Sequence, residues 1–190
     1  NMDLYLFQQI NQYAGKWLWL DAFGIYFAKY FEYILILCVF LFLLKDVKKY
    51  WRMITVATLS VILSRLVIVE IIRYFLPRSR PFIENQVNLL ISQAPSASFP
   101  SGHASFYFAL AAAIFLYLRN LKNPPKYWRQ ISSLFFIGAF LISLARVFVG
   151  VHWPSDIIVG AVVGFLSAFI AVLSFRRFFV AEERVLPPQQ

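Results

Sequence analysis

Charge is scarce in this chain, and so are cysteine and histidine. Of 190 residues only 14% are charged, while 61% are apolar. A soluble domain of this size needs more polar residues to cover its surface. The single cysteine, Cys38, sits inside an apolar run, so an internal disulfide is ruled out and the thiol reads as a small buried or lipid-facing hydrophobe. Internal repeats and low-complexity tracts are missing as well. The first 20 residues lack a basic start followed by a continuous apolar stretch, so no cleavable signal peptide is expected. Asn1, ahead of Met2, is expected to be a leftover of expression and is kept out of fold reasoning.

What fills the chain is a series of apolar runs of about 20 residues, the length that matches a bilayer's hydrocarbon core. Five stand out: 23–44, 51–75, 101–118, 131–149 and 157–175. The expected fold is all-α, a polytopic transmembrane helical bundle forming one membrane-embedded domain over 1–190. Residues 2–16 mix Leu4, Phe7 and Ile10 with Gln8, Gln9, Asn11 and Gln12. They read as an amphipathic interfacial helix, with a sixth crossing as the alternative count. The net charge of +9 comes largely from basic residues clustered between the runs, which argues for topology signals and anion ligands and against a nucleic-acid partner. Lys45, Lys48, Lys49 and Arg52, then Arg119, Lys122, Lys126 and Arg129, then Arg176, Arg177 and Arg184 share one side of a five-span bundle. The positive-inside rule makes that side the cytoplasm, with the tail 181–190 there too. The sequence is silent on oligomeric state.

The opposite ends of the runs hold nearly all the unusual polar residues. Three segments matter: Arg73-Tyr-Phe-Leu-Pro-Arg78-Ser-Arg80-Pro81, Pro100-Ser101-Gly102-His103, and Arg146 followed at fixed spacing by His152 and Asp156. Both histidines of the protein fall here. Two histidines and a carboxylate could suggest zinc, but four arginines on the same rim would repel a divalent metal, while guanidinium forks match phosphate oxygens. No cofactor or metal is expected. Ser101 suits the N-cap of the third run, Gly102 lets an anion approach the backbone, and the helix start then faces a phosphate. Asp156, four residues after His152, can fix one imidazole nitrogen and leave the other free to attack phosphorus. His103 can protonate the leaving oxygen.

These segments resemble the signature of the type 2 phosphatidic acid phosphatase superfamily: Lys, six residues, Arg-Pro; Pro-Ser-Gly-His; Ser-Arg, five residues, His, three residues, Asp. The resemblance implies phosphate binding by Arg80, Ser101, Gly102 and Arg146, an acid at His103, a nucleophile at His152 and its orienting partner at Asp156. Arg73 stands where the family has Lys and is carried over as a phosphate ligand; Ala145 stands where it has Ser. The stretch Ser96 to His103 and the small size are similar to bacterial undecaprenyl diphosphate phosphatases of the bacitracin-resistance type, which often carry Asp at the place of Gly102. The implied activity is hydrolysis of a membrane lipid phosphate or diphosphate through a phosphohistidine, undecaprenyl diphosphate being the best guess. Phosphatidylglycerophosphate or phosphatidate hydrolysis is the enzymatic alternative, and lipid-phosphate binding or translocation the non-enzymatic one. The site is expected on the extracellular or periplasmic face of the cell membrane.

Three further expectations concern neighbouring residues. Glu32 and Arg65 lie within runs where isolated charges are costly, and they are expected to pair across helices. Glu70 is expected to hold Arg73 three residues on. The long connection 82–99, with Val87, Leu89, Leu90 and Ile91, is expected to act as a lid or interfacial segment, and Trp153 either joins the aromatic belt or flanks the headgroup.

Overall fold

A computed structural model describes residues 2–121 and 124–183. Its regular elements are all helical: α1 (Met2–Asn11), α2 (Leu18–Lys29), α3 (Phe31–Lys45), α4 (Val47–Val61), a π-helical turn (Ile62–Ile68), α5 (Val69–Phe75), the short α6 (Pro81–Glu84), α7 (Gly102–Arg119), α8 (Trp128–Phe148) and α9 (Pro154–Glu183). Four stretches are long and apolar enough to cross a membrane, namely Tyr50–Phe75, Gly102–Arg119, Trp128–Phe148 and Pro154–Phe175. The run expected over 23–44 is not straight: α2 and Phe31–Leu41 of α3 meet at 45° across Tyr30, and they make a fifth span only when taken together. The N-terminal helix, at 10 residues, reaches about 15 Å, half of what a crossing needs. The tail expected at 181–190 is helical through Glu183; its remainder, with Arg184, and Lys122 in the basic loop lie outside the described residues.

Large apolar side chains cover the outside of the bundle, among them Leu134, Ile137 and Phe140 on α8 and Ile158, Phe165 and Phe169 on α9. A water-facing monomer does not carry a patch of that size; acyl chains are the solvent it fits. The centre belongs to α7. Its Ala109, Ala111, Ala112 and Ala113 have no exposed surface, and these small residues let α9 come close, as small side chains do between membrane helices. The approach is tightest at Gly160 and Gly164. A Cβ on Gly160 would lie 2.7 Å from the Ser101 carbonyl oxygen, and one on Gly164 would lie 2.5 Å from that of Ser105. Neither site tolerates a side chain, so the two helix starts are drawn together. The Ser101 amide donates to the Asp156 carbonyl oxygen at 3.0 Å, tying the Pro-Ser-Gly-His segment to the segment that carries His152.

At this same end of the bundle α5 and α8 finish. The basic segments 45–52, 119–121 and 124–129 lie at the other end. Pro154 opens α9 and Pro81 opens α6, positions where the missing amide hydrogen costs nothing.

Candidate active site

His152 is 1% exposed, and Asp156 is fully buried. Asp156 Oδ2 lies 3.3 Å from His152 Nδ1 and also accepts from the Trp153 amide at 2.9 Å. On the other side of the ring, Arg80 Nη1 is 3.5 Å from Nε2. A guanidinium can only donate, so Nε2 is the acceptor and the proton sits on Nδ1, where Asp156 holds it. Burial drives the imidazole pKa down to about 3 against the pull of the Asp156 hydrogen bond, and the Arg146 and Arg80 charges push the same way. His152 is therefore neutral, with its Nε2 lone pair turned toward a cationic wall.

That wall contains Arg80, Arg146 and Arg73. Arg80 donates from Nε to the Ser96 carbonyl at 3.0 Å, from Nη2 to Ser96 Oγ at 3.1 Å and from Nη1 to the Val151 carbonyl at 2.9 Å. Burial and then Arg73 lower its pKa, yet a guanidinium stays charged at any working pH. Arg146, 5% exposed, donates to the Ala28 carbonyl at 3.1 Å and to Gln93 Oε1 at 2.8 Å. Ala28 lies in the last turn of α2, whose carbonyls lack helical partners, so the break in the first span supplies the anchor. Arg73 donates to the Pro100 carbonyl at 3.2 Å and, as expected, to Glu70 Oε1 at 3.2 Å. The Nε–H groups of Arg73 and Arg146 are buried without a partner among the described residues. Unpaired buried donors are rare and costly, and here two of them belong to the same cationic cluster.

Ser101 caps α7 as expected, its Oγ accepting from the Ala104 amide at 3.4 Å. The amides of Gly102 and His103 then stand at the free start of the helix. His103 Nε2 lies 3.5 Å from Glu32 Oε2, and Tyr107 donates its hydroxyl to the same oxygen at 3.1 Å. The expected Glu32–Arg65 pair is thus not formed. The break at Tyr30 turns Glu32, in the first turn of α3, toward His103, and Arg65 bonds to Glu70 instead.

Arg78, placed on the anion rim by its sequence position, is an organiser. It donates to Asp156 Oδ1 at 3.1 Å, Ser155 Oγ at 2.6 Å and Asp3 Oδ2 at 2.6 Å, and it lies over the Trp153 ring. Trp153 is 6% exposed, donates its indole N–H to the Ser79 carbonyl at 3.0 Å and packs on Phe7 of α1, an interior position and not one in an exposed belt. Asp3 also accepts from the Ser155 amide at 3.0 Å. Burial alone would raise its carboxyl pKa, but the bonds from Ser155 and Arg78 hold it below the usual value. Nothing in the pattern of residues 2–16 signals this role.

The connection 82–99 packs against α1 and the end of α8 as a wall beside the site. Asn11 and Asn88 exchange hydrogen bonds of 2.9 and 3.1 Å with each other's backbone, Leu90 donates to the Val149 carbonyl, and Phe82, Leu90 and Ile91 pack against the apolar cluster that holds Val149 and Val151. Gly150, with φ 89, turns the chain out of α8 where a Cβ would lie 3.2 Å from the Asn88 carbonyl. Gln93 and Ser96, in this wall, are site residues that sequence reasoning missed. Ala145 is buried in the apolar cluster that also holds Ala28 and Phe148, so the hydroxyl of the family's serine has a methyl in its place. Among the described residues, no group of three His, Cys, Asp or Glu is arranged to hold a metal.

Known proteins are similar to this chain. The undecaprenyl-diphosphatase of Sulfolobus acidocaldarius is 32% identical over 90% of this chain and 77% of its own length. The Bacillus subtilis undecaprenyl-diphosphatase BcrC is 36% identical over 51% of this chain and 44% of its own. The crystal structure of Aquifex aeolicus LpxE superposes with a TM-score of 0.71 at 29% identity, covering 90% of this chain and 95% of that one. The profile of the PAP2 superfamily matches residues 49–179, a span holding the three arginines of the wall, both histidines and Asp156, and the chain belongs to that superfamily as a membrane-embedded lipid phosphatase.

Proposed function

We propose that this phosphatase cleaves the terminal phosphate from a polyprenyl diphosphate of the undecaprenyl kind, without a metal, through a phosphohistidine on His152. The observation that carries the mechanism is the pair of unpartnered, buried Nε–H groups on Arg73 and Arg146 beside a neutral, Asp-held imidazole. The names of the Sulfolobus and Bacillus relatives support the choice of lipid.

The His152 Nε2 lone pair attacks phosphorus, and the bond from phosphorus to the bridging oxygen breaks. His103 gives that oxygen a proton. Glu32 faces His103 Nε2, which leaves Nδ1 to reach the leaving group. Arg80, Arg146, Arg73 and the first amides of α7 bind the three equatorial oxygens as charge builds there. The imidazole becomes a cation once it is phosphorylated, and Asp156, bonded to Nδ1–H, stabilises that charge. His103, now neutral, takes a proton from water, the hydroxide attacks phosphorus, and the P–N bond breaks to return neutral His152 and inorganic phosphate. The basic segments 45–52, 119–121 and 124–129 lie at the far end of the bundle, which supports a site on the outer face.

The test is phosphate release in detergent from a panel of lipid monophosphates and diphosphates. Wild type should turn over the polyprenyl diphosphate fully in EDTA and be inhibited by vanadate, and His152→Ala should be inactive. Loss of activity to chelator alone, or turnover by His152→Ala, refutes the mechanism; a preference for monophosphates refutes the substrate.

A further inference from the structure

One more guanidinium borders the site and has no part in the reaction above. Arg65 sits in the π-helical turn of a membrane span, where a charge is costly and asks for a functional reason. Its side chain crosses the first residue of α7. A Cβ on Gly102 would lie 2.5 Å from Arg65 Nε and 3.0 Å from its Cδ and Cζ. The guanidinium thus rests against bare backbone beside His103, in space that any other residue at 102 would fill. The π turn aims it there: Ser64, the residue before, donates to the Ser105 carbonyl at 3.1 Å and fixes the turn on α7. Such turns recur at functional sites because they change which face a helix presents.

The local charge does not cancel. Glu70 Oε1 accepts from both Arg65 and Arg73, so one carboxylate serves two guanidiniums, and Arg65 remains 33% exposed. Depth matters too. Arg65 precedes Arg73 by eight residues, about 12 Å along a helix. Its side chain reaches back to Glu70 across the Gly102 backbone, beside His103. In the reaction proposed above the leaving oxygen faces His103, so the group that follows it toward the lipid tail comes within reach of Arg65.

We propose that Arg65, shaped by the π turn and by the absence of a side chain at Gly102, is the binding site for the second, tail-side phosphate of a lipid diphosphate. It is a specificity determinant that holds the departing phosphate and neutralises the charge it gains. This rests on the diphosphate reading of the preceding section. A monophosphate ester presents an uncharged alkyl group at the same place and makes no use of Arg65.

The experiment compares farnesyl diphosphate with farnesyl monophosphate, so that the tail is constant, in wild type, Arg65→Gln and Arg65→Lys. Arg65→Gln should lower kcat/KM for the diphosphate about 10- to 100-fold, the range expected for one charge-assisted contact, and change the monophosphate less than about threefold. Arg65→Lys, which keeps the charge but not the fork, should fall between and serves if the Gln variant does not fold. Inorganic pyrophosphate as a competitive inhibitor separates the head from the tail: its inhibition should weaken in both variants, while that by orthophosphate does not. Equal loss on both substrates, or no loss on the diphosphate, overturns the subsite and leaves the phosphatase reading standing. Wild type that releases phosphate from neither lipid overturns the reading beneath it.

Discussion

Glu32 is the residue whose removal says most about the chemistry. It was expected to pair across helices with Arg65 and instead faces His103 at 3.5 Å, held in turn by Tyr107. If His103 is the acid, Glu32 positions the ring and supports its charge, so Glu32→Gln should impair protonation of the leaving oxygen and little else. A hydrogen bond to a charged group contributes about 1.5–3 kcal/mol, and a 3.5 Å contact belongs at the lower end. About 1.5 kcal/mol is roughly tenfold in rate, part of the about 10²–10⁴-fold that a general acid supplies. The size must depend on what leaves. An alkoxide is about as basic as hydroxide, with a conjugate-acid pKa of about 16, whereas a departing phosphate, at about 6, hardly needs the proton. The assay is kcat/KM across phosphate esters graded by leaving-group acidity. The variant should lose about tenfold on an alkyl phosphate and almost nothing on a nitrophenyl phosphate, steepening the dependence on leaving-group pKa. Tyr107→Phe should shift it the same way by less. A uniform loss along the series would mean that Glu32 only supports the fold, and the acid would have to be sought elsewhere. Against a prenyl diphosphate and monophosphate the selectivity of Glu32→Gln is opposite to that of Arg65→Gln, so the two variants check one another.

Two more outcomes follow from packing and protonation. Gly164→Ala places a methyl against the Ser105 carbonyl oxygen and the Ala109 amide at 2.5 and 2.8 Å, backbone atoms that cannot yield. It should cost about 1–3 kcal/mol, as overpacking does, seen as a lower Tm in detergent together with reduced turnover, because the same contact aligns Ser101 with Asp156; an unchanged Tm refutes the tight α7–α9 seam. The folded-state pKa of His152, about 3, lies below its ordinary 6.5. Between these values the unfolded chain binds a proton that the folded chain refuses, so stability is fully present above pH 6.5 and falls as the pH drops toward 3. At pH 5 the loss is about 2 kcal/mol, and thermal unfolding of His152→Ala should show a shallower decline over this window than wild type.

Much of this was legible because membranes restrict the choices. A hydrocarbon solvent permits only helices across it here, so apolar run lengths give the number of spans, and charged residues among them announce themselves. Arg73, Arg80, Ser101, Gly102, His103, Arg146, His152 and Asp156 fell into three segments at one end of the bundle, and the structure keeps them there. The partners of those charges were not legible. Pairing Glu32 with Arg65 assumed a straight first span, and neither proline nor glycine marks the break at Tyr30 that turns Glu32 to His103. Arg78 resembles its neighbours Arg73 and Arg80 in sequence, and only the folded chain shows it bonded to Asp156 and Asp3. The Gly160–Gly164 spacing, by contrast, was a signal that could have been used, since small residues four apart in an apolar run mark close helix contact.

The contrast among the arginines explains how so much positive charge is kept in one place. Arg78 is balanced by two carboxylates and gains a stacking face from Trp153, so it adds order without adding field. Arg80 and Arg146 are anchored on neutral oxygens, the carbonyls of Val151, Ser96 and Ala28 and the side chains of Ser96 and Gln93, which orient the forks without a carboxylate bonded directly to either. Arg65 and Arg73 share Glu70, with one charge to spare between them. Repulsion within such a cluster is a cost that the fold bears in the free enzyme and that a bound anion relieves. A phosphate analogue should therefore raise the stability of the folded protein by more than its contacts with any single arginine would suggest. Vanadate at saturation should raise Tm in wild type, and His152→Ala, which keeps the arginine wall, should retain most of that rise while losing all turnover. A rise abolished together with the nucleophile would mean that the imidazole, and not the cationic wall, holds the anion.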